Sequence, residues 1–292
     1  MSDKIFDLII IGCGPAGLSA AINARIRNLD LLLMGSDFSS PKLYKAEKIN
    51  NYLGLPEISG LELKDKFLTH LKKLEVPIQE AKVDSIYPAD DHYIIMARNK
   101  TYRSYKIILA PGISTAKLIQ GEEDLVGSGV SYCATCDGPL YKGKNVAVVA
   151  YNPEGIEDAK FLAEITNQVY LIPQFELEAE ANLPEISVIQ EKPTAINLPD
   201  NSPVVELENQ QLEVDGVFIY RDTTPADKLI YGLELNDNHI KVDHKLETNF
   251  AGIYAAGDCT GTPYQVAKAV AEGQLAALNA ASQIRKEKNK LS

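Results

Sequence analysis

The chain has 292 residues, of which 45% are hydrophobic and 24% charged, which is typical of a soluble globular protein with one large or two ordinary domains. Its formal net charge of −11 would repel phosphates, so we expect no nucleic acid partner. No run approaches the roughly 20 apolar residues of a membrane span, so no membrane partner is expected either. Gly12 and Pro15 interrupt the apolar N-terminal stretch, which argues against a signal peptide and favours a cytoplasmic location.

The N-terminal segment has the pattern of a β-α-β unit. Residues 5–11 form a short apolar run bounded by glycine, as in a buried parallel strand, and residues 16–26 have the spacing of a helix. The run LDLLLMG then predicts a second buried strand. The turn between the first strand and the helix reads GCGPAG, which fits the G-x-G-x-x-G fingerprint of dinucleotide-binding units.

This turn predicts a dinucleotide site built mainly from backbone. Its glycines permit a tight turn, a close approach to a pyrophosphate and close packing of helix on strand, while the helix N-terminus supplies amide donors. The residues expected to bind are Gly12, Gly14, Pro15, Ala16 and Gly17. Asp37, 20 residues beyond Gly17, is a candidate ribose ligand, although an exposed loop acid would give the same pattern.

Two of the four cysteines, Cys133 and Cys136, lie three residues apart in SYCATCDG. In a reducing compartment this spacing indicates redox or metal chemistry, but no second cysteine pair exists and the four histidines are scattered, so no metal site is expected. One thiolate can attack a partner disulfide while the other resolves the mixed species, and the adjacent Asp137 can transfer a proton. We expect Cys13 and Cys259 to be small residues in tight turns beside a cofactor.

A second β-α-β unit begins with NVAVVA, continues through a helix predicted at Pro153–Ile165 and ends in QVYLIP. Its turn reads AYNPEG, where a phosphate-binding turn is rich in glycine. Pro153 has no amide hydrogen, Tyr151 blocks a close backbone approach, and Glu154 adds a negative charge at the helix N-terminus. The segment PQFELE, which follows the next strand, carries two carboxylates and no base. The second unit therefore lacks the features of a phosphate site.

The C-terminal part returns to nucleotide-binding patterns. GIYAAGD is a strand that ends in small residues and Asp258, before an Ala-rich helix predicted at Val266–Arg285, and this arrangement favours FAD over NAD. The last residues, RKEKNKLS, are expected to be a solvated tail. The fold class is therefore α/β, with two Rossmann-like dinucleotide-binding domains, the second inserted into the first. The expected boundaries are 1–113 and 248–292 for an FAD-binding domain and 117–243 for the inserted domain.

The motifs GCGPAG, GVSYCATCDG and GIYAAGDCTG stand in the order found in low-molecular-weight thioredoxin reductases, which the chain resembles over nearly its whole length. The resemblance implies an FAD-bound homodimer whose inserted domain carries the disulfide and rotates between flavin and thioredoxin. It implies that Cys136 lies against the flavin, that Cys133 attacks thioredoxin and that Asp137 donates a proton.

Further site residues follow from the same resemblance. NNYLG matches the family's Asn-aromatic segment, which makes Asn51 a flavin-side contact, and Gln265 matches a flavin-contacting Gln. Gly112, in Ala-Pro-Gly where Ala-Thr-Gly is usual, keeps the close backbone approach without the Thr hydroxyl. Ser39-Ser40-Pro41 replaces a Gly-Gly-Gln segment near the flavin.

Three departures occur at the site where relatives bind NADPH: the glycine turn, a missing cluster of bases, and FIYRDTTP in place of Ala-Ile-Gly-x-x-Pro. The chain thus resembles the ferredoxin-dependent flavin thioredoxin reductases, which keep FAD and the cysteine pair but lack the pyridine-nucleotide motifs. This implies ferredoxin as electron donor and thioredoxin as acceptor. With potentials of about −400 and −270 mV, the transfer is roughly 6 kcal/mol downhill over two electrons.

Three alternatives remain open at this point: an NADH- or NADPH-dependent reductase with a divergent nucleotide site, a non-catalytic redox-sensing flavoprotein, and a relative of ferredoxin–NADP reductase, which the intact CATCD motif opposes. A basic patch for an acidic ferredoxin is one interpretation of Lys42, Lys45 and Lys48, and a solvated loop is the other.

Overall fold

The structure, a computed structural model, describes residues 4–291 apart from 36–40, 45, 98–99, 114–117, 154, 178–182, 200–201 and 222–225. By its contacts the chain divides into two compact units. The first unit is Met1–Ile113 together with Thr223–Ser292, and the second unit is Ser114–Asp222. An inserted second unit is the arrangement expected of the α/β fold class, and the fold class is confirmed by the relatives described below.

The elements follow one another in chain order. The N-terminal segment of the first unit contains β1 (Ile5–Ile11), α1 (Pro15–Ile26), β2 (Leu31–Met34), α2 (Pro41–Tyr44), α3 (Gly60–Lys73), β3 (Ile78–Gln79), β4 (Ser85–Pro88), β5 (Tyr93–Ala97) and β6 (Lys100–Leu109). The second unit contains β7 (Val130–Ser131), α4 (Ala134–Asp137), β8 (Asn145–Ala150), α5 (Gly155–Ala163), β9 (Gln168–Pro173), β10 (Ile186–Val188), β11 (Pro193–Asn197), β12 (Val204–Leu207), β13 (Gln211–Glu213) and β14 (Gly216–Tyr220). The C-terminal segment contains α6 (Ala226–Leu229), β15 (Leu235–Asn236), β16 (His239–Ile240), β17 (Ile253–Ala255) and α7 (Val266–Leu291).

The first unit is built on a seven-stranded sheet in the order β3-β2-β1-β6-β5-β4, with β17 also paired to β6. Strand β6 changes partner along its length: its first half pairs antiparallel with β5 and its second half parallel with β17, while β1 runs parallel along it. Strands β1, β6 and β17 therefore end at the same edge of the sheet. Alternate residues of β1 face two separate cores, Leu8 and Ile10 one of them, Ile9 and Ile11 the other.

The second unit has a five-stranded, all-parallel sheet in the order β10-β9-β8-β14-β7. Val146 and Val148 of β8 face the core under α5, and Ala147 and Val149 face the core under a three-stranded antiparallel sheet, β11-β12-β13. This hydrophobic run without alternation is what a strand covered on both faces requires.

The predicted end of the inserted domain, at residue 243, is about twenty residues later than the boundary that the contacts define. After β14 the chain returns at once to the first unit, where Leu229, Ile230 and Ile240 are buried in the same core as Ile9 and Ile107. The apolar surface of this segment is thus removed from water by the first unit, and the boundary follows that burial.

The C-terminal helix is also longer than predicted, since α7 continues to Leu291 through the expected tail. Two ion pairs fix its last turns: Glu287 lies 2.8 Å from Lys106 Nζ, and Lys288 Nζ lies 2.7 Å from Asp7. No helix in the part of the chain that the structure describes is long and apolar enough to cross a membrane.

Candidate active site

The carboxyl edge of the first sheet collects three turns predicted to contact a dinucleotide. The turn after β1 begins at Gly12, whose amide donates to Met34 O at 2.8 Å. The segment after β6 is tied to it, because Ala110 N donates to Ile11 O at 2.7 Å. The segment after β17 joins through Ala256 N, 2.9 Å from Leu109 O. Parallel open sheets bind nucleotides at this edge.

The glycines of these turns have two different physical roles. A Cβ on Gly12 would lie 2.1 Å from Ala110 O, and one on Gly17 would lie 1.8 Å from Gly12 O, so both positions exclude a side chain by close backbone packing. A Cβ on Gly14 or Gly112 would meet no described atom within 4 Å. Gly112 has φ +72°, whereas Gly14 is extended, so Gly14 is neither strained nor crowded. The two open glycines leave backbone accessible to a ligand.

The N-terminus of α1 has the features of an anion-binding site. Its N-cap is Gly14, no described side chain caps it, and its first turn has no acidic residue. Pro15 occupies the first helical position, so the amides of Ala16 and Gly17 are the forward-facing donors of this turn. Unpaired amides and the helix dipole favour a phosphate here. These residues fit the pyrophosphate of a dinucleotide such as FAD.

Two residues predicted on the flavin side are brought together across 214 positions. Asn51 Nδ2 donates to Gln265 Oε1 at 2.7 Å, and Gln265 directly precedes α7. Asp258 opens a short 3₁₀ helix, Asp258–Thr260, just beyond the end of β17. Asp37, Ser39 and Ser40 lie outside the described residues.

A polar cluster that the sequence did not reveal fixes the segment around Asp258. Lys268 Nζ, on α7, donates to Gly257 O at 3.0 Å and to Gly261 O at 2.8 Å. Glu272, one turn further, accepts from Gly257 N and from the Thr260 hydroxyl, both at 2.8 Å, and pairs with Lys268 at 3.2 Å. The i, i+4 spacing of Lys268 and Glu272 was the only local signal of this cluster.

The predicted redox pair is present as a disulfide between Cys133 and Cys136, at the N-terminus of α4. Cys133 is buried and Cys136 half-buried, and Cys136 N donates to Cys133 Sγ at 3.1 Å. Ser131 donates to Asp137 Oδ2 at 2.6 Å and accepts from Cys133 N at 3.0 Å. A single hydroxyl thus holds the carboxylate and the cysteine backbone in one arrangement.

The other two cysteines are buried and reduced. Burial raises the pKa of the Cys259 thiol to about 12. Its Sγ lies 3.3 Å from Ala256 O, in the turn that follows β17. A thiol with so little thiolate is a poor nucleophile, which agrees with the packing role expected for Cys259.

The carboxyl edge of the second sheet, where a nucleotide would bind, is occupied by side chains of the protein. Tyr151 follows β8 and Arg221 follows the adjacent β14, and the guanidinium lies over the tyrosine ring at 4.6 Å from its centroid. Arg221 also forms a two-pronged salt bridge with Glu122, which includes a 2.7 Å contact from Nη2 to Oε2. Glu122 is 0% exposed and Arg221 4% exposed.

Glu122 has two further donors. Ile119 N lies 2.8 Å from its Oε2, and the Tyr132 hydroxyl lies 2.8 Å from its Oε1. Burial, and then the charge of Glu122, raise the pKa of Tyr132 far above its usual value, so that this hydroxyl remains a donor. Burial opposes the charge on Arg221, but the hydrogen bonds to Glu122 and the charge of that carboxylate together raise the pKa of the guanidinium. Glu122, Tyr132, Tyr151 and Arg221 are called the edge network below.

The rest of the second unit's turn keeps its packing without its phosphate chemistry. A Cβ on Gly155 would lie 2.6 Å from Ala150 Cβ, so the close approach of helix to strand survives. Gln174, after β9, bonds through its side chain to Glu191 O at 3.0 Å. Glu154 and Glu178 lie outside the described residues.

Two other expectations concern ions and docking. The described ranges hold no group of three or more His, Cys, Asp or Glu side chains arranged to hold a metal ion. Lys48, one of the three lysines considered for docking, pairs with Glu57 at 2.6 Å, so its charge is already matched. The side chain of Lys42 and the whole of Lys45 lie outside the described part.

Comparison with known proteins identifies the family of the chain. Residues 6–273 match the family described as pyridine nucleotide-disulphide oxidoreductase. The chain is 30% identical to the thioredoxin reductase of Bacillus subtilis over 298 residues, covering 94% of this chain and 93% of that protein.

Solved structures give the same result. A ferredoxin-flavin thioredoxin reductase from Clostridium acetobutylicum is 44% identical, with a TM-score of 0.91 over 96% of this chain and 98% of that one. The atypical thioredoxin reductase TRi from Desulfovibrio vulgaris Hildenborough is 30% identical, with a TM-score of 0.74 over 97% and 99%. The chain therefore belongs to the pyridine nucleotide-disulphide oxidoreductase family and, within it, to the thioredoxin reductases.

Proposed function

We propose that this protein is a ferredoxin-dependent thioredoxin reductase, which transfers electrons through FAD to the Cys133–Cys136 disulfide and from there to thioredoxin. The observation that carries the choice of donor is the edge network. Tyr151 and the Glu122–Arg221 pair occupy the sheet edge where a nicotinamide dinucleotide would place its phosphates. The high similarity to a ferredoxin-flavin thioredoxin reductase supports the same choice.

FAD is the cofactor that the first unit fits. The open glycines Gly14 and Gly112 and the uncapped N-terminus of α1 suit a pyrophosphate, with Pro15, Ala16 and Gly17 forming the turn. Asp258 suits the ribityl or phosphate region, and the paired Asn51 and Gln265 suit the flavin side. FAD, when bound, supplies the redox chemistry that connects a one-electron donor to a two-electron disulfide.

The thiol chemistry follows from the cysteine pair. In the reduced enzyme, the Cys133 thiolate attacks the thioredoxin disulfide, which forms a mixed disulfide and releases one thioredoxin thiolate. Asp137 supplies the proton that this leaving sulfur takes up. The Cys136 thiolate then attacks Cys133 Sγ, which restores the Cys133–Cys136 disulfide and releases the second thioredoxin sulfur. The proton that Asp137 delivers is the one lost by the Cys133 thiol, and the second thioredoxin sulfur takes up the proton lost by the Cys136 thiol. Two electrons and two protons have then passed to thioredoxin.

The hydrogen bonds around the pair support these roles. Ser131 orients the Asp137 carboxylate, and α4 directs the Cys136 amide at Cys133 Sγ, where it stabilises a thiolate. Cys133 is buried in the oxidised form, so its attack on a protein disulfide requires a movement that exposes it. A rotating second unit, as the resemblance implies, would provide that movement.

The first experiment identifies the donor. Oxidised enzyme is mixed anaerobically with reduced ferredoxin, NADPH or NADH in separate reactions, and the flavin's visible absorbance is followed. We expect bleaching with ferredoxin alone, and reoxidation when oxidised thioredoxin is added. Rapid bleaching by either nicotinamide would contradict the proposal and favour a nucleotide-dependent reductase. Bleaching by ferredoxin without thioredoxin turnover would favour a redox sensor.

A second experiment assigns the cysteine roles. Cys136→Ser keeps Cys133 as the only nucleophile of the pair, so it should form a stable mixed disulfide with thioredoxin that is resolved on a non-reducing gel. Cys133→Ser should form none. The reverse pattern would exchange the two assignments.

A matched pair of glycine variants tests the cofactor site. Gly14→Ala should leave the apoprotein as stable as the parent, because its Cβ meets no described atom, but should weaken FAD binding. Gly17→Ala should destabilise the fold itself, since its Cβ would lie 1.8 Å from Gly12 O. Equal FAD affinity of Gly14→Ala and the parent would place the cofactor elsewhere.

The resemblance further supports an FAD-binding role for the first unit, a disulfide-carrying role for the second and a homodimer, and the sequence pattern favours a cytoplasmic location. Sedimentation of the holoprotein over a concentration series tests the last of these. A single species of 32.0 kDa would contradict the dimer.

A further inference from the structure

The edge network lies beside the redox disulfide in sequence and is bonded to its segment. Tyr132 stands between Ser131, which holds Asp137, and Cys133 itself. Its hydroxyl reaches Glu122 at 2.8 Å, and Glu122 is fixed in turn by Arg221 and by Ile119 N. All of these contacts lie within the second unit.

The network is an unusual use of buried charge. Removing two opposite charges from water is costly, and a hydrophobic pair of similar volume often stabilises a fold as well or better. Arg221 also leaves its Nε without a described hydrogen-bond partner. A gain in stability is therefore a weak explanation for the buried Glu122–Arg221 pair. A more specific explanation is that the pair holds a polar segment of the chain in one conformation.

The position of the network supports a link to the reaction. Tyr151 and Arg221 follow adjacent parallel strands, and β7, which leads into Tyr132, pairs with β14 on its other side. The three chain segments therefore converge at one edge. There the Arg221–Glu122 pair connects Tyr151, in the altered turn after β8, to Tyr132, the residue before Cys133. A change at Arg221 can reach the disulfide through two hydrogen bonds.

We propose that the edge network is a positioning element for the redox disulfide: Arg221 and Glu122, through the Tyr132 hydroxyl, hold the segment from Ser131 to Cys133 in its reactive arrangement. This role rests on the proposed function. The side-chain hydrogen bonds described for Arg221 and Tyr132 go to Glu122 and not to the reacting sulfurs, so the two residues act through Cys133.

The test compares Tyr132→Phe, Arg221→Lys and Arg221→Met with the parent. The matched control is Tyr141→Phe, a tyrosine of the same unit whose ring packs on Phe218 at 5.3 Å. Two measurements are made on holoenzyme: kcat and KM for thioredoxin with reduced ferredoxin, and the equilibrium of the Cys133–Cys136 disulfide with dithiothreitol.

Tyr132→Phe should lower kcat about tenfold, with KM for thioredoxin within about twofold, because misplacement of reacting groups affects the chemical step. Arg221→Lys keeps the positive charge but cannot form the two parallel hydrogen bonds of a guanidinium. Its kcat should fall between those of the parent and Arg221→Met. The dithiothreitol equilibrium should shift toward the dithiol in the variants, because the network is formed around the disulfide. Tyr141→Phe should match the parent in both measurements.

A melting temperature that falls while kcat and the dithiothreitol equilibrium match those of Tyr141→Phe would overturn the proposal. Arg221→Met can fail to fold, in which case Tyr132→Phe, which loses one hydroxyl, decides the outcome. A parent enzyme that does not reduce thioredoxin would refute the proposed function, and the dithiothreitol equilibrium would still test the inference.

Discussion

Replacing Arg221 by methionine is the sharpest test of how the second unit is held together. The substitution keeps most of the side-chain volume but removes the cation that faces Glu122. Glu122, at 0% exposure, would keep its donors from Ile119 N and Tyr132 and lose both prongs of the salt bridge. A carboxylate that remains buried without its counter-charge is the costly outcome.

Breaking one side of a buried ion pair costs about 3–5 kcal/mol, or two to four orders of magnitude in the unfolding equilibrium. The double variant Glu122→Gln with Arg221→Met removes both charges, so we expect it to recover much of that loss. Lys160→Met is the control in the same unit, because Lys160 and Glu157 form an exposed pair at 2.9 Å that is worth at most about 1 kcal/mol.

Amide hydrogen exchange measures this loss unit by unit, which a single melting curve of a two-unit protein does not. In Arg221→Met, the amides of β8 and β14 should exchange about two to four orders of magnitude faster than in the parent. The exchange rates of the β1 and β6 amides should be unchanged. Equal exchange in Arg221→Met and Lys160→Met would refute the reasoning, because the pair would then carry no more energy than an exposed one.

Three further predictions concern the sites described above. Cys259, with its pKa raised from 9.0 to about 12, should be alkylated at pH 8 roughly a thousandfold more slowly than an ordinary thiol, which mass spectrometry after iodoacetamide treatment checks. The contribution of Cys259 to the free energy of unfolding should be lost as pH rises from about 9 toward 12, and comparison with Cys259→Ala over this pH range checks it. Ser131→Ala removes the donor to Asp137 and should lower thioredoxin turnover about tenfold at unchanged flavin content; a rate equal to that of the parent would remove Ser131 from the mechanism. Lys268→Met loosens the Gly257–Gly261 segment and should weaken flavin binding about tenfold in a fluorescence release assay, whereas Lys241→Met, at an exposed pair with Glu234, should not.

Much of the fold was predictable because its signals are local. The first strand, turn and helix follow from an apolar run, a glycine fingerprint and helical spacing within 26 residues, and the structure confirms them as β1 and α1. The cysteine pair was visible for the same reason, since both sulfurs belong to one turn. The loss of the second glycine turn could likewise be read from six consecutive letters.

Other features depended on contacts between distant residues. The extension of α7 through a highly charged tail reflects ion pairs with Asp7 and Lys106, which lie far away in the chain. The end of the second unit reflects apolar burial after β14, where Leu229, Ile230 and Ile240 join the core of the first unit.

The dinucleotide turn, the redox cysteine pair and the loss of a second phosphate-binding turn were all predictable from the sequence, because each depends on residues within one turn. Which side chains occupy the place of the lost turn depends on contacts between distant residues. Arg221 and Glu122 are 99 residues apart, and nothing in either local sequence indicates the other. They meet because Arg221 follows β14 and Tyr132, which donates to Glu122, follows the parallel neighbour β7, and a buried cation requires a buried anion.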